Sequence, residues 1–362
     1  MYSTGMDAPP ARLKGRGALS NPANRFATTH GSAVDDGWHQ DELPESIATE
    51  VRIEASRSVI SRNDSPDVPY EQSINPYRGC EHGCVFCYAR PAHAYLDLSP
   101  GVDFETKLYY KPDAARLLRA ELSRPGYRCK SIMLGANTDP YQPIERRYHV
   151  TRDLLEVLAE TRHPVSITTR STLVLRDLDL LAPMARAGLT QVFISITTFD
   201  AELKRKLEPR SAASLARLHV IEQLSAAGVP VGVMAAPMIP AVNDSELETI
   251  LERATVAGAT RAAYVLLRLP HEVKDLFRQW LAEHLPERAA HVMSLVQAAH
   301  GGKDNESQFG ARMRGSGAWA QLLRDRFKLA CRRLGLNNDR TLILDESLFE
   351  APGQGGQMSL GL

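Results

Sequence analysis

Between residues 130 and 267 the chain alternates short apolar runs with amphipathic stretches of about ten residues, and this restricts the fold more than any other feature. Runs at 130–134, 164–168, 191–196, 229–235 and 262–267 read as strands, and stretches at 152–160, 177–187, 214–227 and 245–257 read as helices. Gly228 follows one helix as its stop, and Asn243-Asp244 precedes another as its cap. Strands separated by helices of this length pair in parallel through right-handed crossovers, because a tight hairpin can join only antiparallel neighbours. A strand at 73–76 and a helix at 112–122, with Pro112 in its first turn, bring the count to six strand–helix units. The expectation is an α/β fold, a partial (β/α)6 TIM-like barrel spanning 70–270, with its chemistry at the C-terminal ends of the strands.

The flanks read differently. Residues 1–69 are rich in Ser, Asp, Pro, Arg and Gly without a sustained period and read as a largely extended or disordered arm. A further short strand is expected at 107–110. Beyond Pro270, helices at 271–285, 286–299 and 318–334 form a C-terminal helical extension over 271–345, placed to cover the open barrel edge. The Gly-rich break at 301–317 reads as a lid, a substrate-backbone contact or a solvated connector, and 346–362 reads as a flexible tail.

Three of the five cysteines stand just after the first strand. Cys80, Cys84 and Cys87 make a C-x3-C-x2-C spacing, tight enough for one loop to wrap one inorganic cluster, and Gly79 and Gly83 let the backbone turn between the thiols. Iron–sulfur clusters usually take four Cys thiolates, so three leave one iron of a 4Fe-4S cube open to a substrate or cofactor. The competing reading is a Cys3His zinc site with His82 or His93 as fourth ligand. Cys129 and Cys331 stand alone in the sequence, whereas structural zinc usually takes its ligands as two pairs.

Composition bounds the rest. Equal numbers of basic and acidic residues, 43 of each, remove any global electrostatic argument for nucleic acid or an anionic membrane, leaving a local basic groove as the alternative. No apolar run of membrane-spanning length and no basic-then-apolar leader is present, and five cysteines, three of them clustered, do not make a secreted disulfide framework. The expected compartment is the cytoplasm, and no membrane partner is expected.

The C-x3-C-x-aromatic-C pattern, with Phe86 as the aromatic, resembles the signature of radical S-adenosylmethionine (SAM) enzymes, and Asn75-Pro76-Tyr77-Arg78-Gly79 is similar to the branch of spore photoproduct lyase-like proteins. The resemblance implies a partial barrel, a 4Fe-4S cluster held by Cys80, Cys84 and Cys87, and SAM bound at the open iron. One electron, from a donor such as flavodoxin or ferredoxin, then generates a 5'-deoxyadenosyl radical that abstracts hydrogen from substrate. It further implies that Asn137, Thr138 and Asp139 accept hydrogen bonds from the methionyl amine, that Ser195 or Thr197 contacts ribose, and that Arg210 clamps the methionyl carboxylate. Arg170 is a candidate for substrate or carboxylate, and Met234, Met238 and residues 265–267 for adenine. The segment 14–26 also resembles the family; it reads as a solvated arm, or as a cover of the mouth with Arg16 and Arg25 on a substrate phosphate.

Ala136 stands where the lyase pattern carries a hydrogen-returning cysteine, so the same route here needs Tyr77, Tyr88, Tyr141 or Cys331 as relay. The ending Gln357-Met358-Ser359-Leu360-Gly361-Leu362 resembles the peptide by which bacterial repair proteins dock on the DNA sliding clamp. The expected function is a radical SAM enzyme acting on nucleic acid, by lyase-type repair or modification. The alternatives are radical SAM modification of a protein or small metabolite, and a non-catalytic DNA-associated metal scaffold.

Overall fold

In a computed structural model, residues 14–27, 47–338 and 343–353 are described. The clamp-like ending at Gln357 to Leu362 lies outside them. Among the described residues ten strands follow in chain order: β1 Glu50–Ile53, β2 Ile60–Arg62, β3 Gln72–Ile74, β4 Tyr77–Arg78, β5 Lys107–Tyr110, β6 Ile132–Leu134, β7 Val165–Thr169, β8 Thr190–Ile196, β9 Val231–Met238 and β10 Arg261–Leu266. The main sheet runs β10-β9-β8-β7-β6-β3-β2, its six strands from β3 to β10 parallel and in sequence order. These are the six expected strands. Only β2, antiparallel to β3, is extra, and the sheet does not close into a barrel. The expected strand at 107–110 forms as β5 but stands apart, in a small sheet between β1 and β4.

Alternation along the strands sorts the two faces. Val165 and Ile167 of β7, Val192 and Ile194 of β8, and Val233 and Ala235 of β9 are fully buried under the outer helices. Those helices, Ala114–Leu122, Val150–Glu160, Leu178–Arg186, Ser214–Ala226 and Leu247–Val256, supply Leu118, Leu154, Leu158, Leu181, Ile221, Leu224, Ile250 and Leu251 to the same core. The alternate residues, Ser166, Thr168, Phe193, Ser195 and Met234, face the lumen. Gly232 is required there, since a Cβ would come 2.4 Å from the Phe193 ring.

Loops, more than the C-terminal helices, satisfy the free edge of β10. The side-chain amide of Asn337 donates to the Ala262 carbonyl and accepts from its N–H, both at 3.0 Å, as a paired strand would. Met313 O accepts from Leu266 N. Edge groups left bare would recruit another chain. The Gly-rich break is a tether: Asp67, in the β2–β3 loop, accepts from Gly310 N and Arg312 Nε, and Asn305 accepts from Leu269 N. It runs from the β10 side to the β2 side and spans the seam.

The N-terminal segment departs from the solvated arm that its composition implies. Arg16 and Ala18 are buried, and Arg16 donates to Glu105 O, Ile47 O and Thr49 Oγ1. Gly17 lies so close to the cysteine loop that a Cβ on it would sit 1.7 Å from Gly83 O. Arg25 pairs with Glu272 and stacks on Phe26 and Tyr95. Gly17→Ala is therefore expected to destabilise by about 1–3 kcal/mol, as overpacking does, and to lower iron incorporation. Thermal unfolding and an anaerobic iron count check this; native values of both would show that the segment does not brace the loop.

Candidate active site

The cysteine loop opens at the C-terminal end of β3, and its backbone is anchored along its length. Cys80 N donates to Phe104 O at 2.9 Å, Val85 N to Leu207 O at 3.0 Å, and Glu81 N to the Gln142 side chain at 2.9 Å. Gln142 in turn donates to Gly79 O. Gly79 and Gly83 both have positive φ, 73° and 67°. A Cβ on Gly79 would meet the Phe104 carbonyl at 2.8 Å, which makes glycine obligatory twice over. Beneath the loop, fully buried Arg90 donates to Cys84 O, Pro100 O, Gly101 O and the Glu105 carboxylate. Glu105 also accepts from Gly17 N and Ala18 N.

Cys80 and Cys84 are buried and Cys87 is partly exposed. Burial, above all, pushes the Cys80 thiol well above its ordinary range and the Cys84 thiol to about 12. Thiols in such a setting ionise when a metal takes the charge. The two histidines proposed as zinc ligands have other partners: His93 Nε2 lies 2.9 Å from Lys107 O, and His82 Nδ1 lies 3.3 Å from Asp139 Oδ2, off the line of a good hydrogen bond. Among the described residues, no three His, Cys, Asp or Glu converge on one point as ligands of a single ion would. Three thiols on one glycine-hinged loop suit a cluster with one open iron.

Around the loop, the strand ends bring together some of the expected residues and commit others. The turn after β6 holds Asn137, Thr138 and Asp139. Asn137 is exposed, its N–H held by Asn75. The Thr138 hydroxyl is buried and has no hydrogen-bond partner among the described residues, a polar atom left for something the protein does not itself supply. Asp139 is committed: Oδ1 accepts from Thr169 Oγ1 at 2.6 Å and Tyr141 N at 2.9 Å, and Oδ2 from Arg170 N at 2.9 Å. Burial alone would raise its pKa, but His82, Thr169 and the Arg170 amide outweigh it and hold the carboxyl at about 2. Its geometry is that of an orienter of the turn.

Ser195 and Thr197 end β8. Ser195 is buried, its carbonyl accepting from Arg217, and Thr197 donates to Ala236 O. Arg210 lies beside the cysteine loop: its N–H donates to His82 O, and its partly exposed guanidinium meets Glu81 at 2.8 Å. Arg170 is held in a network that sequence reasoning missed. Glu208, fully buried, bridges Arg170 at 2.5 Å and Arg217 at 2.6 Å. Burial would raise the Glu208 carboxyl, yet the two arginines keep it below its ordinary value. The Glu-Pro-Arg run marks Glu208 in the sequence, but nothing there says that Arg217 reaches it.

Of the adenine candidates, Met238 is fully buried core and Met234 faces the lumen. The amides of Leu266 and Leu267 are spent on Met313 O and Met238 O. Of the tyrosines, Tyr77 and Tyr141 are fully buried and bonded to Glu145 and Asp177. Cys331 is buried on the helix Gly317–Leu334. Tyr88 is at the mouth, 45% exposed, its hydroxyl on Ala136 O. A cavity bounded by Asn63, Tyr70, Lys130 and Glu346, and another bounded by Leu269, Lys274 and Asp304, contain none of the cysteines.

With this geometry in place, comparison with known proteins is decisive. The family model of the radical SAM superfamily matches residues 74–254, half of the chain. The chain belongs to the radical SAM superfamily. Members use a 4Fe-4S cluster and SAM, so this is a radical SAM enzyme. An uncharacterized protein of Mycobacterium tuberculosis is 40% identical over 232 residues, 64% of this chain and 68% of its own. A Pseudomonas phage M6 protein, the radical SAM Nalpha-GlyT isomerase, is 23% identical over 224 residues, 61% of this chain and 42% of its own. Solved spore photoproduct lyase structures share the fold: one has a TM-score of 0.59 at 15% identity over 79% of this chain and 80% of that one. Another, complexed with dinucleoside spore photoproduct, scores 0.58 at 16% identity over the same shares. No described helix is long and apolar enough to cross a membrane.

The commitments of Asp139 predict how its loss is read. Asp139→Ala removes one carboxylate from three donors and is expected to cost about 3 kcal/mol or more, since each buried donor left bare costs about 1–3 kcal/mol. Denaturant unfolding checks this. A variant as stable as the native enzyme but unable to bind SAM would show instead that the carboxylate serves the ligand.

Proposed function

We propose that this radical SAM enzyme acts on a nucleic acid, by lyase-type repair or base modification, with Cys80, Cys84 and Cys87 holding its 4Fe-4S cluster. The observation that carries the reading is the fold shared with spore photoproduct lyase over about four-fifths of both chains, a neighbour that takes a dinucleoside photoproduct. When bound, the cluster and SAM supply a 5'-deoxyadenosyl radical that abstracts hydrogen from substrate. The protein's own work is positional. Arg90, Gln142 and the segment 16–18 hold the thiol loop, and we assign Arg210, now paired with Glu81, to the methionyl carboxylate, for which its fork suits a bidentate contact. Thr138 offers its unpartnered hydroxyl. We assign the exposed Asn137 side chain of the same turn to the methionyl amine, and Ser195 or Thr197, at and just past the end of β8, to the ribose.

The lumen walls of Ser166, Thr168, Phe193 and Met234 offer few fixed charges, which suits flat bases and leaves phosphate to be met at the rim. The C-terminal peptide from Gln357 to Leu362 fits docking on a DNA sliding clamp, and an electron donor such as flavodoxin or ferredoxin completes the cycle. A cytoplasmic setting follows from the need of a low-potential cluster for reducing surroundings. Modification of a protein or small metabolite is the competing use of the same site.

Anaerobic reconstitution with iron and sulfide, reduction with dithionite and addition of SAM test the assignment. About four irons per chain and 5'-deoxyadenosine are expected from the native enzyme. Cys80→Ala, Cys84→Ala and Cys87→Ala are expected to lose both, whereas Cys129→Ala and Cys331→Ala keep the cluster. Loss of iron in either of the latter would overturn the ligand set. Arg210→Ala is expected to weaken SAM binding about tenfold or more, on the scale of a charge-assisted hydrogen bond, with iron content unchanged. Damaged DNA is the first substrate to screen.

A further inference from the structure

Arg268 lies two residues beyond β10, at the strand end of the open seam, where a barrel enzyme builds its site. Its guanidinium is poorly matched. Nε is buried with no hydrogen-bond partner, and Nη1 meets only the Met313 thioether, at 3.4 Å. A thioether is a weak acceptor. Among the described residues no carboxylate stands within ion-pair distance of it. The nearest candidate, Asp67, is taken by Arg312 at 2.5 Å and by Gly310 N. Asp67 therefore acts on Arg268 only from a distance, and no carboxylate among the described residues is bonded to Arg268. Burial first, and the neighbouring Arg312 second, lower the Arg268 pKa, and Tyr88, Asp67 and Tyr70 offset them only in part. A half-buried cation matched only in part costs free energy that an incoming anion recovers.

The surroundings say where that anion sits. The Arg268 guanidinium lies 5.3 Å from the Tyr88 ring centroid, and Tyr88 follows Cys87 directly. The Tyr88 hydroxyl reaches Ala136 O beyond β6. Arg268 is thus linked by one aromatic ring to the cysteine loop on one side and to the β6 turn on the other. The tether carrying Arg312 and Met313 passes beside it. An anion here lies against the rim of the lumen, beside the place where a substrate meets the cluster.

We propose that Arg268, with Tyr88 under its face and Arg312 beside it, is a phosphate subsite that reads the backbone phosphodiester next to the reacting nucleotide. The proposal deepens the nucleic-acid reading given above and rests on it for the identity of the phosphate's owner, though not for the subsite itself. The planar fork of Arg268 presents paired N–H donors to the phosphate oxygens, a geometry that a lysine cannot reproduce.

The test uses the full-length, cluster-reconstituted protein and two probes: a thymidine dinucleotide with its phosphodiester, paired with its uncharged methylphosphonate analogue, and inorganic phosphate. Binding is measured by calorimetry under anaerobic conditions, with iron per chain reported for each variant. The native enzyme is expected to prefer the phosphodiester over the methylphosphonate by about tenfold or more, on the scale of charge-assisted hydrogen bonds. Arg268→Gln is expected to abolish that preference. Arg268→Lys, which keeps the charge and serves where the Gln variant fails to fold, is expected to reduce it several-fold while leaving methylphosphonate binding alone. If inorganic phosphate binds in an Arg268-dependent way but the dinucleotide does not, the subsite stands and the nucleic-acid reading falls. If Arg268→Gln keeps the native preference, or neither probe binds the native enzyme, the subsite is overturned.

Discussion

The site depends first on one buried carboxylate. Glu105 accepts from Arg90, from Gly17 N and from Ala18 N, and all of these partners are buried. A carboxylate removed from water is tolerable only when its lone pairs are filled and its charge is matched, and breaking such a pair from one side is far more costly than never having built it. The result is a junction that joins the N-terminal segment, the loop of three thiols and the strand β5 that follows Glu105 into one unit. A metal cluster needs its ligands held at fixed separations before it arrives, and a loop with two glycines at positive φ would not hold them unaided. The rigidity comes from what lies underneath.

A second buried junction serves the other side of the mouth. Glu208 holds Arg170 and Arg217 together, and Arg217 also donates to Ser195 O, so the ends of β7 and β8 and the segment carrying Arg210 move as one. Asp139 performs the same task between the β6 turn and β7. In each case an acidic group that might pass for a catalytic acid is saturated by protein donors. Among the buried polar atoms left without a partner in the described residues, the Thr138 hydroxyl and the Arg268 guanidinium are the two that lie near the strand ends beside the cysteine loop. Burying a polar atom without a partner is costly, which is why the carboxylates at these junctions are saturated by protein donors.

The seam between β10 and β2 explains why the barrel is partial. Six parallel strands curve without closing, and the free edge of β10 would be a template for association if left bare. Asn337 and Met313 occupy its hydrogen-bonding groups, and the 301–316 tether crosses to Asp67. The edge is thereby made unreactive toward other chains.

The repeating pattern of apolar strand and amphipathic helix determined the parallel sheet, its strand order and the six units, because periodicity and crossover length are local properties of the chain. The spacing of Cys80, Cys84 and Cys87 pointed to metal chemistry, because three thiols within eight residues of one loop can share a centre. Asn137, Thr138, Ser195 and Thr197 could be put at strand ends for the same reason. The sequence did not contain the partners. That Asp139 accepts from Thr169, that Glu208 takes Arg170 as well as Arg217 and that Glu105 reaches back to Gly17 rest on contacts across 30, 38 and 88 residues, visible in no local pattern. The segment 14–27 looked solvated because its composition is polar, yet its backbone amides and one arginine are what bury it. Tertiary structure alone decided which charges are neutralised, and hence which remain available, because neutralisation depends on distance in space and on removal from water.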